Sequence, residues 1–247
     1  MGEYQPVIIL VHPQMGENIG MSARAMLNFG LKNMRIVAPR DGWPNEAAVN
    51  AAAGAGAVIF HDNMVFDTVE GAVADLHYVM ATTARMREMN KQSYGTDRGV
   101  NSIINAQINH NKTGILFGAE RSGLTNEDIK YAHAILQFDE VNKNFSSLNL
   151  SQAVMIFSYQ YAKMIKDKNA PIMALDGNDA PHLPAKGQEL NFFLKTLEDN
   201  LQDASFFRNP EMRPSVMRNI YGMFQRLAPS SEELRTLHGL IKALKRE

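Results

Sequence analysis

The chain has 247 residues, of which 45% are hydrophobic and 21% charged, so it can bury the core of one large domain or of one domain with a small appendix. Its net charge of −1 gives no bulk argument for a nucleic-acid or membrane partner, although basic residues can still cluster locally. There is no cysteine, which excludes disulfides, thiolate metal ligands and thiol nucleophiles. The seven histidines are scattered without HExxH spacing, so we expect no protein-bound metal.

Nothing in the sequence predicts a membrane segment. No apolar run approaches the ~20 residues that span a bilayer. The first residues, MGEYQPVIILVHP, lack the basic start and cleavage site of a signal peptide. We therefore expect a soluble, cytoplasmic protein with no membrane partner.

Apolar strands alternate with helices over the first two-thirds of the chain. Strands are predicted at 7–11, 34–39, 57–60, 77–83, 113–118 and 133–138, and helices at 19–29, 67–76, 97–108 and from residue 150. Asn18 is a plausible cap of the first helix, and Gly30 is placed as its stop. The alternation predicts an α/β fold, a parallel sheet covered by helices on both faces.

The composition changes at about residue 168, which divides the chain into three parts. Residues 168–187 combine prolines and glycines without periodicity and are predicted as a linker, after a domain at 1–167. Residues 188–247 are purely helical in pattern, with Pro214 in a first helical turn and a Ser230–Glu233 capping box. The tail is therefore predicted to be a small helical module.

The usual phosphate-binding loops are missing. There is no GxxxxGK[ST], and GAGAVI (54–59) fails GxGxxG because its last position is Ile59. The first strand runs into HPQMGENIG instead of a glycine-rich turn, which disfavours a dinucleotide-dependent dehydrogenase.

Three other stretches could carry chemistry, and each has a purely structural alternative. ENIGMSARAMLNFG (17–30) places Arg24 beside the buried stripe of a helix, where a lone arginine is most simply a surface residue. FGAERSGLTNEDI (117–129) follows a strand end, where ligands bind in α/β sheets, but it also fits a turn capped by Thr125 and Asp128. FSSLNLSQAV (145–154) begins a helix, so its polar start could be a cap alone, although we expect Ser147 and Asn149 to serve as both cap and site.

Taken in order, these stretches resemble the SPOUT superfamily of RNA methyltransferases, closest to the tRNA (cytidine/uridine-2′-O-)-methyltransferases of its SpoU branch. The matching segments are NIGMSARAMLNFGL (18–31), ATTAR (81–85), FGAERSGL (117–124) and SSLNLSQAV (146–154). The resemblance covers about residues 6–165, and the C-terminal module is similar to that subgroup's helical extension. One departure is visible, because QFDEVNKNF (137–145) lacks the proline that the family often has there.

The resemblance implies a deep trefoil knot in the C-terminal part of the sheet domain, S-adenosylmethionine bound there, and a homodimer with its site at the interface. The implied cofactor-binding residues are Thr82, Thr83, Ala84, Gly118, Phe138, Ser147, Leu148 and Asn149. The implied catalytic residues are Arg24, its paired Asn18, Ser147, Asn149 and Glu120.

The residues present agree with ribose chemistry. Methylation of a pyrimidine carbon generally needs a thiolate, which this chain cannot supply, whereas methyl transfer to a 2′-hydroxyl needs no covalent intermediate. A guanidinium keeps its proton, so we expect Arg24 to orient the hydroxyl or a phosphate and to stabilise an alkoxide. The expected substrate is tRNA, at a cytidine or uridine of the anticodon loop (position 32), with ribosomal RNA or a catalytically silent RNA-binding role as alternatives.

Local charge also favours an RNA partner, although solvated helix faces would give the same pattern. Residues 18–40 hold four basic side chains and no acidic one, namely Arg24, Lys32, Arg35 and Arg40. Residues 206–226 interleave arginines with aromatic residues, namely Arg208, Arg213, Arg218 and Arg226 with Phe206, Phe207 and Tyr221.

Overall fold

The computed structural model describes residues 5–83, 91–108, 111–139, 147–166, 183–207 and 209–244. Within them the chain forms seven strands: β1 Val7–Val11, β2 Met34–Val37, β3 Val65–Phe66, β4 Tyr78–Thr82, β5 Gln92–Tyr94, β6 Thr113–Phe117 and β7 Ala134–Leu136. They build one sheet in the order β3-β2-β1-β6-β4-β7-β5. Every pairing is parallel, so the carboxyl ends of all strands lie along the same edge.

Helices cover both faces of this sheet. The described helices are α1 Gly16–Asn28, α2 Glu46–Ala52, α3 Gly56–Ile59, α4 Val69–Val73, α5 Thr96–Ile108, α6 Asn126–Ile129, α7 Leu150–Lys166, α8 Gly187–Asp203, α9 Arg213–Leu227 and α10 Ser231–Leu244. Ile8 and Leu10 of β1 face a core shared with α1, α2, α5 and α7, whereas Ile9 and Val11 face a core shared with α4 and α6. This two-sided burial confirms the predicted α/β class.

Helix α1, which carries one of the candidate motifs, lies unusually close to α2. A Cβ atom on Gly16 would lie 2.1 Å from Oδ1 of Asn45, and one on Gly20 would lie 2.3 Å from the carbonyl oxygen of Ala48. Only glycine fits at these positions, four residues apart on one face of α1. The helix α2 was not predicted from the sequence, although it is what fixes α1 on its outer side.

One strand prediction was wrong, and two short edge strands, β3 and β5, were not predicted. Residues 57–60 were predicted as a strand but belong mostly to helix α3, with Ile59 fully buried. A short apolar run fits a buried strand and a buried helical turn equally well, so periodicity could not separate the two. The strand β5 was missed because QSY is polar and lies at the sheet edge, where only β7 pairs with it.

Helices α8, α9 and α10 form a small module with its own core of Phe193, Leu194, Phe224 and Leu234. The predicted capping box is confirmed, because Ser230 N donates to Glu233 Oε2 (2.7 Å) and Glu233 N donates to Ser230 Oγ (3.2 Å). Pro214 lies in the first turn of α9 as predicted.

The module docks on the α4–α6 face of the sheet domain. The N–H groups of Gly187 and Gln188 donate to the carbonyls of Leu76 and Ala74, both at 2.9 Å. A Cβ atom on Gly187 would lie 2.8 Å from the carbonyl oxygen of Val73, so the close approach requires glycine. The start of α8 is thus bonded directly to the chain that leads into β4.

Aromatic and basic residues of α9 serve this docking. Tyr221 meets the ring of Tyr131 edge-on at 6.5 Å between centroids, and Nζ of Lys130 lies 5.5 Å from the Tyr221 ring centroid. Arg218 reaches Glu127 at 3.6 Å. Arg213 pairs with Glu198 of α8 at 2.8 Å, and Arg208 lies outside the described residues. Contacts within the protein therefore account for Arg213, Arg218 and Tyr221, which is the alternative to RNA binding that the sequence left open for this pattern.

Lys91, directly before β5, lies near this docking surface. Its ammonium donates to the carbonyl of Lys130 at 3.2 Å and to that of Ala132. Desolvation, and second the positive charge of Arg226, lower the pKa of Lys91 from 10.5 to about 7. His133 beside it is held neutral, because burial and the Lys91 charge lower its pKa to about 3. None of the described helices is long and apolar enough to cross a membrane.

Lys91 makes stability depend on pH. Between its folded pKa of about 7 and 10.5 the unfolded chain carries a proton that the folded protein lacks, so the free energy of unfolding rises with pH. The slope is at most about 1.4 kcal/mol per pH unit. In urea titrations, the free energy of unfolding of the wild type minus that of Lys91→Met should be larger at about pH 9 than at about pH 7. A difference that is the same at both pH values would contradict this assignment.

Candidate active site at the carboxyl edge of the sheet

Three candidate stretches that are far apart in sequence meet at the carboxyl edge of the sheet. The first follows β1 into α1, the second follows β6, and the third begins α7. Strands β1 and β6 are direct neighbours, and α7 packs on α1 and β6. The topology therefore brings together what the sequence presented as separate motifs.

A chain of side-chain hydrogen bonds joins the three stretches. Asn18 Nδ2 donates to Glu120 Oε1 at 2.7 Å, and Asn149 Nδ2 donates to Asn18 Oδ1 at 3.0 Å. Glu120 also accepts from the backbone N–H groups of Gln14 at 2.8 Å and Met15 at 3.3 Å. Both ends of the Asn18 amide are thus used, and the Glu120 carboxylate collects three donors.

Asn18 was predicted to cap α1, and that prediction was wrong. The helix begins two residues earlier, at Gly16, and its N-cap residue Met15 offers no side-chain cap. Asn18 instead lies inside the first turn, with 1% of its surface exposed. A polar side chain this buried needs partners, and Glu120 and Asn149 supply them. Glu120 in turn accepts from the N–H of the N-cap residue Met15 and from that of Gln14, directly before it.

Asn149 caps α7 while it bonds to Asn18. Its Oδ1 accepts from the N–H of Ser151 at 2.9 Å and from that of Gln152 at 3.4 Å. Both Ser147 and Asn149 were predicted to cap this helix, and Ser147 lies exposed two residues before Asn149. The cap belongs to Asn149, because only that residue directly precedes the first helical turn. Its amide therefore has two tasks, one through each end.

The loop after β6 needs glycine for steric reasons. A Cβ atom on Gly118 would lie 2.3 Å from the backbone carbon of Gly123 and from the nitrogen of Leu124. Gly123 has a φ of +65°, and its N–H donates to the carbonyl of Ala119 at 2.8 Å. This tight turn points the intervening Glu120 at Asn18. The predicted Thr125–Asp128 capping box closes the same loop.

The predicted cofactor residues outside these stretches lie at the ends of neighbouring strands. Thr82 ends β4, and its Oγ1 donates to the carbonyl of Leu116 in β6 at 2.9 Å. The N–H of Thr83 donates to the carbonyl of Leu136, which ends β7, at 3.2 Å. Phe138 follows two residues later and packs partly buried against the core. Ala84 lies outside the described residues.

Arg24 does not join the hydrogen-bond chain. It lies exposed on α1, and in the described part of the chain no carboxylate pairs with it. Near it, the outer faces of α1 and α7 expose large apolar side chains, namely Met21 (41%), Met155 (48%), Ile156 (38%) and Tyr159 (51%). The ring of Tyr159 meets that of Phe29 at 5.6 Å, which joins the two helices at this face. Leu148, at the start of this face, is also exposed.

Other basic groups line the same edge of the sheet. Arg40 follows β2, and its pair with the exposed Asp41 raises its pKa, with a smaller contribution from Glu120. His12 ends β1 with a φ of +52°, and its Nε2 lies 3.9 Å from Asp128 Oδ1. Arg121 is exposed beside Glu120. No group of three metal-binding side chains occurs among the described residues.

Sequence reasoning missed the parts of this site that are made by backbone. The amides of Gln14 and Met15 act through N–H groups, for which the side-chain types give no signal. The conformation of Gly123 could have been expected, because a glycine in a tight turn after a strand often supplies a positive φ, here +65°.

The carboxylate of Glu120 should be necessary for the local structure. Glu120→Gln replaces one acceptor oxygen with an NH₂ group, which leaves a donor of Asn18 or of the helix start unpaired. We expect the free energy of unfolding to fall by about 1–3 kcal/mol in urea titrations. The control Glu232→Gln, on a side chain that is 88% exposed, should change it by less than about 0.5 kcal/mol. Equal effects of the two variants would show that the network contributes nothing.

Comparisons with known proteins show a family and relatives to which the chain is similar. Residues 5–159 match the model of the SpoU rRNA methylase family. The chain is 32% identical over 243 residues to the tRNA (cytidine/uridine-2′-O-)-methyltransferase TrmJ of Klebsiella pneumoniae, covering 97% of this chain and 96% of the relative.

Solved structures are also similar to this chain. The crystal structure of TrmJ from Z. mobilis ZM4 superposes with a TM-score of 0.84 at 39% identity, covering 98% of this chain and 99% of that one. The SpoU methyltransferase AviRb from Streptomyces viridochromogenes, in complex with AdoMet, shares the fold at a TM-score of 0.53 and 13% identity, over 68% of this chain and 60% of that one. Matched over more than half of its length by the family model, the chain belongs to the SpoU rRNA methylase family.

Proposed function

We propose that the protein is an S-adenosylmethionine-dependent methyltransferase that modifies the ribose 2′-hydroxyl of a cytidine or uridine in the anticodon loop of cytoplasmic tRNA. The observation that supports this most is the hydrogen-bond chain from Asn149 through Asn18 to Glu120. The names of the K. pneumoniae and Z. mobilis relatives support tRNA, since the chain spans 96% and 99% of their lengths. Ribosomal RNA is the second candidate, favoured by the name of the family model.

The carboxyl edge of the sheet fits a cofactor of this size. The ends of β6, β4 and β7 are adjacent, so a ligand across all three spans about 10 Å. Gly118 follows the end of β6 and permits the tight turn there, and Thr83 and Phe138 lie at the next two strand ends. We assign the cofactor to these residues together with Thr82, Ala84, Ser147, Leu148 and Asn149; the AdoMet complex of AviRb supports this. S-adenosylmethionine, when bound, supplies a methyl group activated by a sulfonium.

The chain's own residues divide into groups that act on the substrate and groups that position them. Arg24 is exposed and lacks a carboxylate partner among the described residues, so its guanidinium is free to orient the hydroxyl and to stabilise developing negative charge. It does not act as the base, since a guanidinium keeps its proton. Glu120 already accepts from three donors, so we assign it, with Asn18, to positioning the helix start and Asn149.

We further propose a homodimer in which the exposed faces of α1 and α7 meet their copies. Met21, Met155 and Tyr159 form an apolar surface that a second chain would cover. Arg24 lies one helical turn after Met21, so it would border this interface. The site would then lie between the two subunits.

The knot and the domain boundaries belong to the same proposal. In the sheet, β7 lies between β4 and β5, although it follows both in sequence. A chain that inserts in this way is what a trefoil knot in the C-terminal part of the domain requires. We take residues 1–167 as the methyltransferase domain, 168–187 as the linker and 188–247 as the module that assists RNA binding.

Methyl transfer to defined RNAs tests the function directly. The protein should methylate unmodified tRNA in the presence of S-adenosylmethionine, and mass spectrometry of nuclease fragments should place the 2′-O-methyl group in the anticodon loop. Methylation of ribosomal RNA alone would establish the second candidate. No incorporation into either RNA would overturn the enzyme assignment.

Arg24→Ala should lower turnover by about 100-fold or more while leaving the dissociation constant of S-adenosylmethionine within about threefold. The reason is that Arg24 lies on α1, away from the strand ends assigned to the cofactor. Single-turnover methylation and isothermal titration calorimetry measure the two quantities. Arg235→Ala, on an arginine that is 74% exposed in α10, is the control and should leave both unchanged. Parallel loss of turnover and cofactor affinity would contradict the role assigned to Arg24.

Met155→Glu places a charge on the apolar face of α7, so the dimer should dissociate and methylation should fall with it. Sedimentation equilibrium measures the mass, and activity is followed on the same samples. Leu240→Glu, at a side chain of α10 that is 56% exposed, is the matched control and should leave the mass unchanged. A fully active monomer would refute the interface site.

A further inference from the structure

A short edge strand of the sheet lies beside the residues assigned to the cofactor. Strand β5 has three residues and pairs only with β7, in the register Gln92 with Ala134 and Tyr94 with Leu136. A strand this short at a sheet edge has few ladder hydrogen bonds, so its register is weakly specified by pairing alone. Contacts outside the strand ladder are therefore needed to keep β5 in register.

Lys91 makes such a contact at the amino end of β5. Its ammonium donates to the carbonyls of Lys130 and Ala132, which lie at the end of α6 and on the approach to β7. Both the protonated and the neutral amine of a lysine can donate to these carbonyls, so the contact does not depend on the charge of Lys91. The side chain thus ties the first residue before β5 to the last residues before β7, and this fixes the two strands against each other.

At the opposite end, the same pair of strands carries predicted cofactor residues. The N–H of Gln137 donates to the carbonyl of Tyr94 at 2.9 Å, and Ser93 Oγ donates to Gln137 Oε1 at 3.0 Å. On the other side of β7, the N–H of Thr83 donates to the carbonyl of Leu136 at 3.2 Å. Phe138 is the next residue after Gln137. A slip of β5 along β7 would therefore break the hydrogen bonds that hold Gln137, the residue before Phe138.

The C-terminal module covers this connection. Gln225 Nε2 donates to the carbonyl of Tyr131 at 3.4 Å, between the two carbonyls that Lys91 uses. The ring of Tyr221 packs edge-on against Tyr131. The charge of Arg226 reaches Lys91 strongly enough to contribute to its lowered pKa. Helix α9 therefore withdraws the ammonium from water, which strengthens its hydrogen bonds to the carbonyls.

We propose that Lys91 is a positioning residue of the cofactor site, which pins β5 to β7 and makes that site dependent on the docked C-terminal module. This inference rests on the proposed binding of S-adenosylmethionine. It assigns the module a task in the sheet domain, besides any contact of its own with RNA.

The test is the affinity of the full chain for S-adenosylmethionine, measured by calorimetry without RNA. Lys91→Met should raise the dissociation constant on the order of tenfold. Lys91→Arg, which keeps a charged donor, should recover part of the loss. Lys112→Met is the matched control, because Lys112 also directly precedes a strand, yet its side chain is 45% exposed. In steady-state assays the KM for the cofactor should rise in Lys91→Met while the KM for RNA stays unchanged.

A second variant tests the link to the module if Lys91→Met folds poorly. Tyr221→Ala leaves β5 and Lys91 unchanged but removes the ring that covers Tyr131, so it should weaken cofactor binding several-fold. Wild-type affinity in Lys91→Met, or in Tyr221→Ala, would overturn the inference. A wild-type protein that binds no S-adenosylmethionine would instead refute the proposed function, so the two failures are distinguishable.

Discussion

The arrangement of the site depends on one carboxylate that gathers donors from separate parts of the chain. Glu120, on the loop after β6, accepts from the amides that open α1 and from Asn18 within its first turn. Because Asn18 is buried, its remaining oxygen must also be paired, and Asn149 provides the donor. Satisfying buried polar groups thus fixes three elements relative to one another, and the glycines around Glu120 make the close approach possible.

The same principle extends to the distant end of the sheet. There β5 is short and the module packs over the carbonyls that receive the Lys91 ammonium. In both places a polar group is removed from water and paired with backbone from a different element. Such contacts specify geometry more than they add stability, because desolvation offsets much of what the hydrogen bonds contribute.

Much of the fold could be predicted from the sequence, since buried parallel strands are continuous apolar runs and helices have their own period. The predictions for β1, β2, β4, β6 and β7 were confirmed, as was the helical module. The exceptions were 57–60, where a four-residue apolar run was compatible with both states, and two missed edge strands, the two-residue β3 and the polar β5. The close contact of α1 with α2 depends on where Gly16 and Gly20 meet Asn45 and Ala48, which sequence periodicity does not contain.

For the site, the motifs indicated which loops could carry chemistry, but not how their side chains contact one another. Asn18 and Asn149 are polar residues at helix starts, so capping was the simplest hypothesis, and it holds only for Asn149. Their true relation is a contact between residues 131 positions apart, which only the sheet topology creates. Glu120 was expected among the catalytic groups, and its three donors are the reason why we propose a positioning role for it.

The most direct test is a double-mutant cycle that reverses the central hydrogen bond. Asn18→Asp places two carboxylates together, whereas Asn18→Asp with Glu120→Gln lets the Gln amide donate to the Asp, which can still accept from Asn149. We predict that the double variant is more stable in urea unfolding than the sum of the single effects, by about 1–3 kcal/mol. Single effects that add within about 0.5 kcal/mol would contradict the central place given to this contact.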